Sequence, residues 1–331
     1  MTIVNGIEID VYRRVCNETK KAILNNDPIE QNLHVIMVIS NPCSYAKRYI
    51  LAKEFIYRME SEENVILYIV ELCYKDQKHQ ITKNNNPRHL QLYTETSPLW
   101  HKENMINIGV KKLLPINWKA FAWIDADIEF ESSTWALDTL KSLNGHKDIV
   151  QLFSHCIDMD NNCNTLNIFS SFGYQYNKQK EYKILNNTSY WHPGYAWAIT
   201  RTGYEKIGGL YENSILGSGD NNMALCILGF GLHSLNINVT DEYKLQMVEY
   251  QKHMNKLRLG YIPGIIRHYY HGSKANRKYK ERWKILVDNY YNPETHITRN
   301  NENLIIPTNE CPSKLLTDIF IYFKERNEDE T

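Results

Sequence analysis

The apolar positions of this chain fall in short blocks whose spacing switches between continuous and helical. Leu33 to Ile39 is a near-continuous apolar run ended by Ser40-Asn41-Pro42, the pattern of a parallel strand buried on both faces. Tyr49, Ala52, Ile56 and Met59 then recur at three- and four-residue intervals, which predicts a helix with Ser44 as its N-cap. A second apolar run, residues 65–70, closes at Glu71, so strand, helix and strand form one right-handed unit with parallel pairing. Residues 75–97 are polar, centred on Asn84-Asn85-Asn86-Pro87, and read as a long loop covering a site. Met105, Ile106, Val110 and Leu114 predict a helix over 103–114, stopped by Pro115. A short strand, 120–124, runs directly into Asp125-Ala126-Asp127. Further pieces are a helix near 133–142, strands at 149–153 and 195–200, a helix after Asp220, and a basic helix over 275–289 before a polar tail. There is no internal repeat. The alternation of strands and helices predicts one α/β domain with a mixed, mainly parallel sheet between helices. It spans residues 31–290, with an extension at 1–30 and a helical tail at 291–331.

Composition narrows the function classes. Lys+Arg and Asp+Glu both total 38 in 331 residues, so no net field draws the chain to nucleic acid or an anionic membrane. Seven scattered cysteines (16, 43, 73, 156, 163, 226 and 311) never form C-x-x-C, which fits reduced structural thiols in an intracellular compartment. The first fifteen residues lack a signal-type apolar stretch, and no apolar run is long enough to span a bilayer, so a soluble cytoplasmic protein is expected. Without a secretion signal, the Asn187-Thr188-Ser189 sequon carries no weight. Oligomeric state is not legible.

Four groups of residues can carry chemistry. Asp125 and Asp127 follow the carboxyl end of a buried strand, where open α/β sheets bind ligands, and hard oxygen donors at that spacing suit a divalent cation. Such a cation is useful wherever a diphosphate leaves. A second D-x-D, Asp158-Met159-Asp160, runs into Asn161-Asn162 and reads as a solvated turn. Gly217-Ser218-Gly219-Asp220 precedes an apolar helical run; Asp220 is a helix-start residue and also a candidate general base for an acceptor hydroxyl. His268 and His271 lie in a turn before Lys274 and Arg277, where an imidazole can complete a carboxylate metal site and the cations can meet diphosphate oxygens. Trp191-His192-Pro193-Gly194 offers rings beside a small residue, suited to the apolar face of a sugar, with Trp191 and His192 the candidate contacts.

Taken in this order, residues 35–282 resemble GT-A glycosyltransferases, in particular the catalytic domains of beta-1,4-galactosyltransferases and polypeptide N-acetylgalactosaminyltransferases. The blocks that carry the resemblance are 102–109, 123–127, 194–209, 217–220 and 267–274. It implies a nucleotide-sugar donor, a UDP-sugar favoured, a glycan, glycoprotein or other hydroxyl acceptor, and Mn²⁺ (or Mg²⁺). It further implies that Asp125, Asp127 and His271 hold the metal, with His268 the alternative to His271. Ser40, Asn41, Arg48, Glu71, Lys102 and Asn107 are implied to line the donor with Asp125, Lys274 and Arg277, and Gly194 and Gly219 to border the acceptor or sugar. The family's acidic motif reads W-G-G-E-D; here the Trp is absent and Gly219 stands in the Glu position, leaving Asp220 as the acid.

Two rivals remain on the sequence alone. A nucleotidyltransferase would also place carboxylates at strand ends, but it predicts a glycine-rich phosphate loop, and 40–45 contains no glycine. A sugar-binding protein on a decayed transferase scaffold draws its support from the missing Glu.

Overall fold

The computed structural model describes residues 3–4, 7–8, 17–179, 182, 191–254 and 256–330. The sequon at 187–189 and Cys16 lie outside them. In chain order the elements are β1 (Ile3–Val4), β2 (Ile7–Glu8), α1 (Asn17–Asn25), β3 (Leu33–Ser40), α2 (Ala46–Ser61), β4 (Val65–Tyr74) and β5 (His89–Thr94). Then come α3 (Lys102–Leu113), β6 (Ala120–Ile124), β7 (Ile128–Phe130), α4 (Trp135–Leu143), β8 (Ile149–Gln151), β9 (His155–Met159), β10 (Thr165–Ser170) and α5 (Phe172–Gln179). The remainder is β11 (Ala196–Thr200), α6 (Arg201–Ile207), α7 (Gly219–Ile227), α8 (Asp241–Met254), β12 (Leu259–Tyr261), β13 (Ile265–His268), α9 (Trp283–Asp288), β14 (Ile297–Arg299), β15 (Ile305–Pro307) and α10 (Ser313–Glu325).

A seven-stranded sheet in the order β12-β8-β11-β6-β3-β4-β5 forms the centre; only β11 runs antiparallel to its neighbours. Alternate residues of each central strand face opposite layers, as strand geometry requires. Ile36, Val70, Phe121, Trp123 and Trp197 pack with α3, α7 and α8 on one side, while Val35, Met37, Ala122, Ile124 and Ala198 pack with α2 and α4 on the other. A second sheet, β10-β9-β13-β7, lies just beyond the carboxyl end of β6, reached through Asp125-Ala126-Asp127. The α/β class with a mainly parallel sheet is therefore present as expected.

Four local expectations need correction. The polar stretch 75–97 is not one long loop, because His89–Thr94 forms the edge strand β5, parallel to β4. Ser44 does not cap α2. It sits at φ 57°, and the first amides, Ala46 and Lys47, donate instead to the carboxylate of Asp329 at 3.0 and 2.8 Å. The basic segment 275–289 is not one helix: a 3₁₀ turn over Lys274–Arg277 ends at Lys278 in the left-handed region, φ 43°, and α9 starts only at Trp283. The tail after 290 is not only helical, since β14 and β15 form a hairpin. Its Leu304, Ile305, Leu315 and Ile319 pack into the same core as the sheet.

Candidate active site

The strand ends dictate where the chemistry collects. β3 stops at Ser40 and β6 at Ile124, and the following residues wall a cavity that also takes in the start of α3 and the end of the tail. The acidic turn is fixed by its backbone: Asp125 N–H donates to Tyr195 O and Tyr269 N–H donates to Asp127 O, both at 2.8 Å. In β13, His268 is in register with Ile128, which sets its ring beside Asp127.

Asp127, His268 and His271 offer ligand atoms that all lie within 4.8 Å of one another. His271 Nε2 is 2.7 Å from Asp127 Oδ2, and His268 Nε2 is 3.7 Å from the same oxygen. Two buried atoms here, Asp127 Oδ1 and His268 Nε2, have no hydrogen-bond partner among the described residues. Buried polar atoms rarely stay orphaned, and a shared cation would satisfy both. His268 Nδ1 is 2.7 Å from Asp158 Oδ1, and a carboxylate there keeps the ring proton on Nδ1 and leaves the Nε2 lone pair facing Asp127. That carboxylate–imidazole pairing is how metal-binding histidines are oriented. Burial disfavours the charge of Asp127, but His271 and His268 hold its carboxyl well below the usual range. Burial also works against charge on His268, and Asp127 with Asp158 nevertheless raises its pKa. Both histidine alternatives thus converge on Asp127.

Asp158 overturns the reading of 158–162 as a solvated turn. It lies at the end of β9, 3% exposed, and binds Lys274 Nζ at 2.5 Å through its second oxygen. Only Asp160 behaves as expected, accepting from the amides of Asn162 and Asn164. The signal for Asp158 was available in strand alternation through Cys156 and Asp158, but the following Asn pair outweighed it.

Lys102, the first residue of α3, bridges two acids: its Nζ lies 2.7 Å from Asp125 Oδ1 and 3.0 Å from Asp220 Oδ2. Burial opposes its charge, yet Asp125 and Asp220 hold Lys102 well above its ordinary pKa. Asp125 therefore stands outside the three-residue cluster, bound to Lys102. Burial lifts its carboxyl despite that lysine, with Asp127 and Asp220 adding to the rise. Asp220 is presented by the turn before α7, where Ser218 takes a left-handed φ of 82° and its Oγ accepts from Arg282 Nη2 at 2.5 Å. Gly194 lies beside Asp220: a Cβ there would stand 3.8 Å from Oδ2, an ordinary contact, and 3.0 Å from His192 Cε1.

Gly219 meets Glu103, a residue the sequence reading passed over. A Cβ on Gly219 would lie 2.1 Å from Glu103 Oε1 and 2.8 Å from its Cγ, so the missing side chain is what admits this carboxyl beside Asp220. Burial pushes Glu103 up to about 8, with Asp220 adding to the rise against Lys102. Gly219→Ala is accordingly expected to destabilise the fold by about 1–3 kcal/mol, an overpacking cost. In a Glu103→Ala background the same change should cost less than half as much; thermal denaturation of the four proteins checks this, and equal costs in both backgrounds would refute the contact.

The tail supplies the far wall. Arg48 Nη2 binds Glu328 Oε1 at 2.7 Å, and its Nη1 donates to Ser40 O at 2.6 Å. Glu328, 1% exposed, also pairs with Arg326 at 2.8 Å and approaches His271 Nδ1 at 3.6 Å. The close passage needs Gly272, whose φ is 87° and where a Cβ would meet tail backbone at 3.0 Å. Arg277 Nη2 lies 2.6 Å from His271 Nε2.

Of the residues expected from sequence, Ser40, Asn41, Arg48, Lys102, Asp125 and Asp127 line the cavity, as do His271 and Arg277. Others do not. Glu71 spends both oxygens on the amides of Gln80, Ile81 and Thr82 and on the Thr82 hydroxyl. Asn107 makes four hydrogen bonds, with Tyr204, Glu212 and the backbone of Leu210. Trp191 is core, edge-on to Phe172 and Tyr182. His192 stacks on Tyr195 at 4.2 Å, and Tyr195 stacks on His268 at 4.6 Å, so this ring backs the Asp127, His268 and His271 cluster. Lys274 acts on His268 through Asp158. The six described cysteines, Cys43 at the cavity wall among them, are free thiols.

No protein-family model and no curated protein matches the chain. Among solved structures it is similar to the catalytic domain of Drosophila beta-1,4-galactosyltransferase 7 in complex with xylobiose, at 11% identity and a TM-score of 0.38, covering 87% of this chain and 98% of that one. It is also similar to TarS of S. aureus, at 14% identity and a TM-score of 0.35 over 61% and 55% of the two chains. A putative nucleotide-diphospho-sugar transferase from Desulfovibrio desulfuricans follows, at 9% identity and a TM-score of 0.32 over 72% and 82%. Such distant likenesses assign no reaction to this chain, and the functional reading rests on its own residues.

Proposed function

We propose that this chain is a GT-A glycosyltransferase that takes a nucleotide-sugar donor, a UDP-sugar first, and passes the sugar to a hydroxyl of a glycan, glycoprotein or other acceptor. The observation that carries the reading is a run of adjoining groups: an Asp-His-His cluster whose Asp127 and His271 line the cavity, then Asp125 and Lys102 on the same lining, then Asp220 paired to Lys102. A divalent cation held by Asp127, His268 and His271 supplies Lewis-acid stabilisation of the charge that develops on the departing diphosphate. Two imidazoles in the donor set favour Mn²⁺ over Mg²⁺.

The chain's own groups do the rest. Arg277 and Lys102 face the anionic part of the donor, and Lys102, tied to Asp125, stands between the leaving group and the base. Asp220 accepts the proton from the acceptor hydroxyl as its oxygen forms a bond to the anomeric carbon and the bond to the diphosphate breaks. Glu103 and Gly194 shape the acceptor side of that carboxylate. Residues 31–290 form the catalytic unit in this reading, and the 291–331 tail completes its cavity.

Calorimetry with UDP tests the donor half of the proposal. Binding is expected to be at least about tenfold tighter with Mn²⁺ than in EDTA, given the leverage of metal-site groups on affinity. Equal affinity under the two conditions would count against the metal-dependent donor site.

A further inference from the structure

The cavity wall at Ser40 carries a hydrogen-bond chain whose direction is fixed by its far end. Ser40 Oγ lies 2.8 Å from Tyr74 OH, Tyr74 OH lies 3.0 Å from His101 Nδ1, and His101 Nε2 lies 2.8 Å from the carbonyl of Ile305. Tyr74 and His101 are 4% and 2% exposed, so water does not interrupt the chain. A carbonyl oxygen only accepts, so Nε2 carries the ring proton. Burial pushes His101 down to about 4, so the ring is neutral at physiological pH and Nδ1 has no proton of its own. Tyr74 must then donate to Nδ1. With its single proton committed, its oxygen accepts from Ser40, and the Ser40 hydroxyl turns its own proton inward. What Ser40 Oγ has left for the cavity is a lone pair.

The position matters as much as the polarity. β3 lies between β6, whose end bears the acidic turn, and β4, which ends at Tyr74. Ser40 is therefore displaced from Asp127 toward the β4 side, in a cavity whose lining also includes the apolar Leu99, Trp100 and Met105. In the donor site proposed above, a nucleotide whose diphosphate met Arg277 and Lys102 would have this lining available for its nucleoside.

We propose that Ser40 Oγ, held as an obligate acceptor by the Tyr74–His101–Ile305 chain, selects nucleotides whose nucleoside presents a hydrogen-bond donor to it. The inference rests on the nucleotide-sugar reading above. The donor is either the N3–H of a uracil base or a ribose hydroxyl, and the two sources are separable. Cytosine replaces the N3–H by an acceptor lone pair; 2′-deoxy and 3′-deoxy sugars remove one hydroxyl each.

Calorimetry of the full chain with Mn²⁺ and UDP, CDP, 2′-deoxy-UDP or 3′-deoxy-UDP, in wild type, Ser40→Ala and Tyr74→Phe, tests it. In wild type one of the three analogues is expected to bind about tenfold more weakly than UDP, a single hydrogen bond's worth of discrimination. Its identity names the source. In Ser40→Ala that penalty should fall below about twofold. If the base is the source, Tyr74→Phe frees the Ser40 proton and CDP binds more tightly than it does to wild type; if the ribose is, the deoxy penalty persists in Tyr74→Phe, where Ser40 can still accept. Analogues that all bind wild type as UDP does, or a penalty unchanged in Ser40→Ala, would overturn the proposal while leaving the donor site standing. Failure of UDP itself to bind wild type would overturn the donor site as well.

Discussion

Asp127→Ala is expected to abolish metal-dependent turnover and to weaken Mn²⁺ binding by more than about 100-fold, beyond the 10–100-fold loss typical of groups that only support a metal ligand. Asp127 is the single carboxylate of the cluster and the point on which both imidazoles converge, at 2.7 and 3.7 Å. Without it, the cluster would keep its two imidazoles and lose its one carboxylate ligand for a dication. The fold should survive, because the turn is held by the Asp127 carbonyl and the Asp125 amide, which the substitution leaves in place. Calorimetry with Mn²⁺, beside a circular dichroism spectrum, checks both parts. Undiminished Mn²⁺ affinity in a folded variant would remove this metal site from the account.

Asp220→Asn is expected to lower turnover by about 10²–10⁴-fold, the range associated with general base catalysis, while Mn²⁺ and UDP binding stay within about twofold of wild type. Asparagine matches the shape of the side chain and can still accept from Lys102 Nζ through its oxygen, so the 3.0 Å contact that positions the side chain need not be lost. What disappears is the capacity to take a proton. Because Asp220 lies outside the residues that line the donor cavity, the defect belongs in the chemical step, and single-turnover kinetics resolves it from binding. A variant with near-normal turnover would mean that another group accepts the proton.

The parts of this arrangement legible in the sequence are those set by local pattern. The run from Leu33 and the block 120–124 announce buried strands because nearly every residue is apolar, and the acids that follow β6 stand where strand ends place ligands. Residues 65–70 likewise begin β4. What could not be read depended on partners far along the chain. Ser44 looked like a cap because nothing nearby announces that Asp329 performs the task. Asp158 looked solvated because its partners, His268 and Lys274, lie 110 and 116 positions later. β5 was hidden because an edge strand needs only one apolar face, and His89–Thr94 is half-buried with Leu92 its fully buried residue. The spacing of Lys and Arg over 275–289 imitates a solvated helix face, yet Arg277, Lys278 and Arg282 are spoken for by His271, Glu325 and Ser218, and that tertiary pairing overrides propensity. Gly219 was visible as a departure from the family motif, but only the packing shows that Glu103 fills the space it vacates.

The most direct test of the central claim is donor hydrolysis by the purified protein, assayed with UDP- and GDP-sugars in Mn²⁺ and in EDTA, since a transferase lacking its acceptor slowly gives the sugar to water. The account predicts release of UDP from one UDP-sugar in Mn²⁺ and none in EDTA. Release that persists in EDTA, or no release from any donor together with no nucleotide-dependent shift in thermal stability, would contradict it.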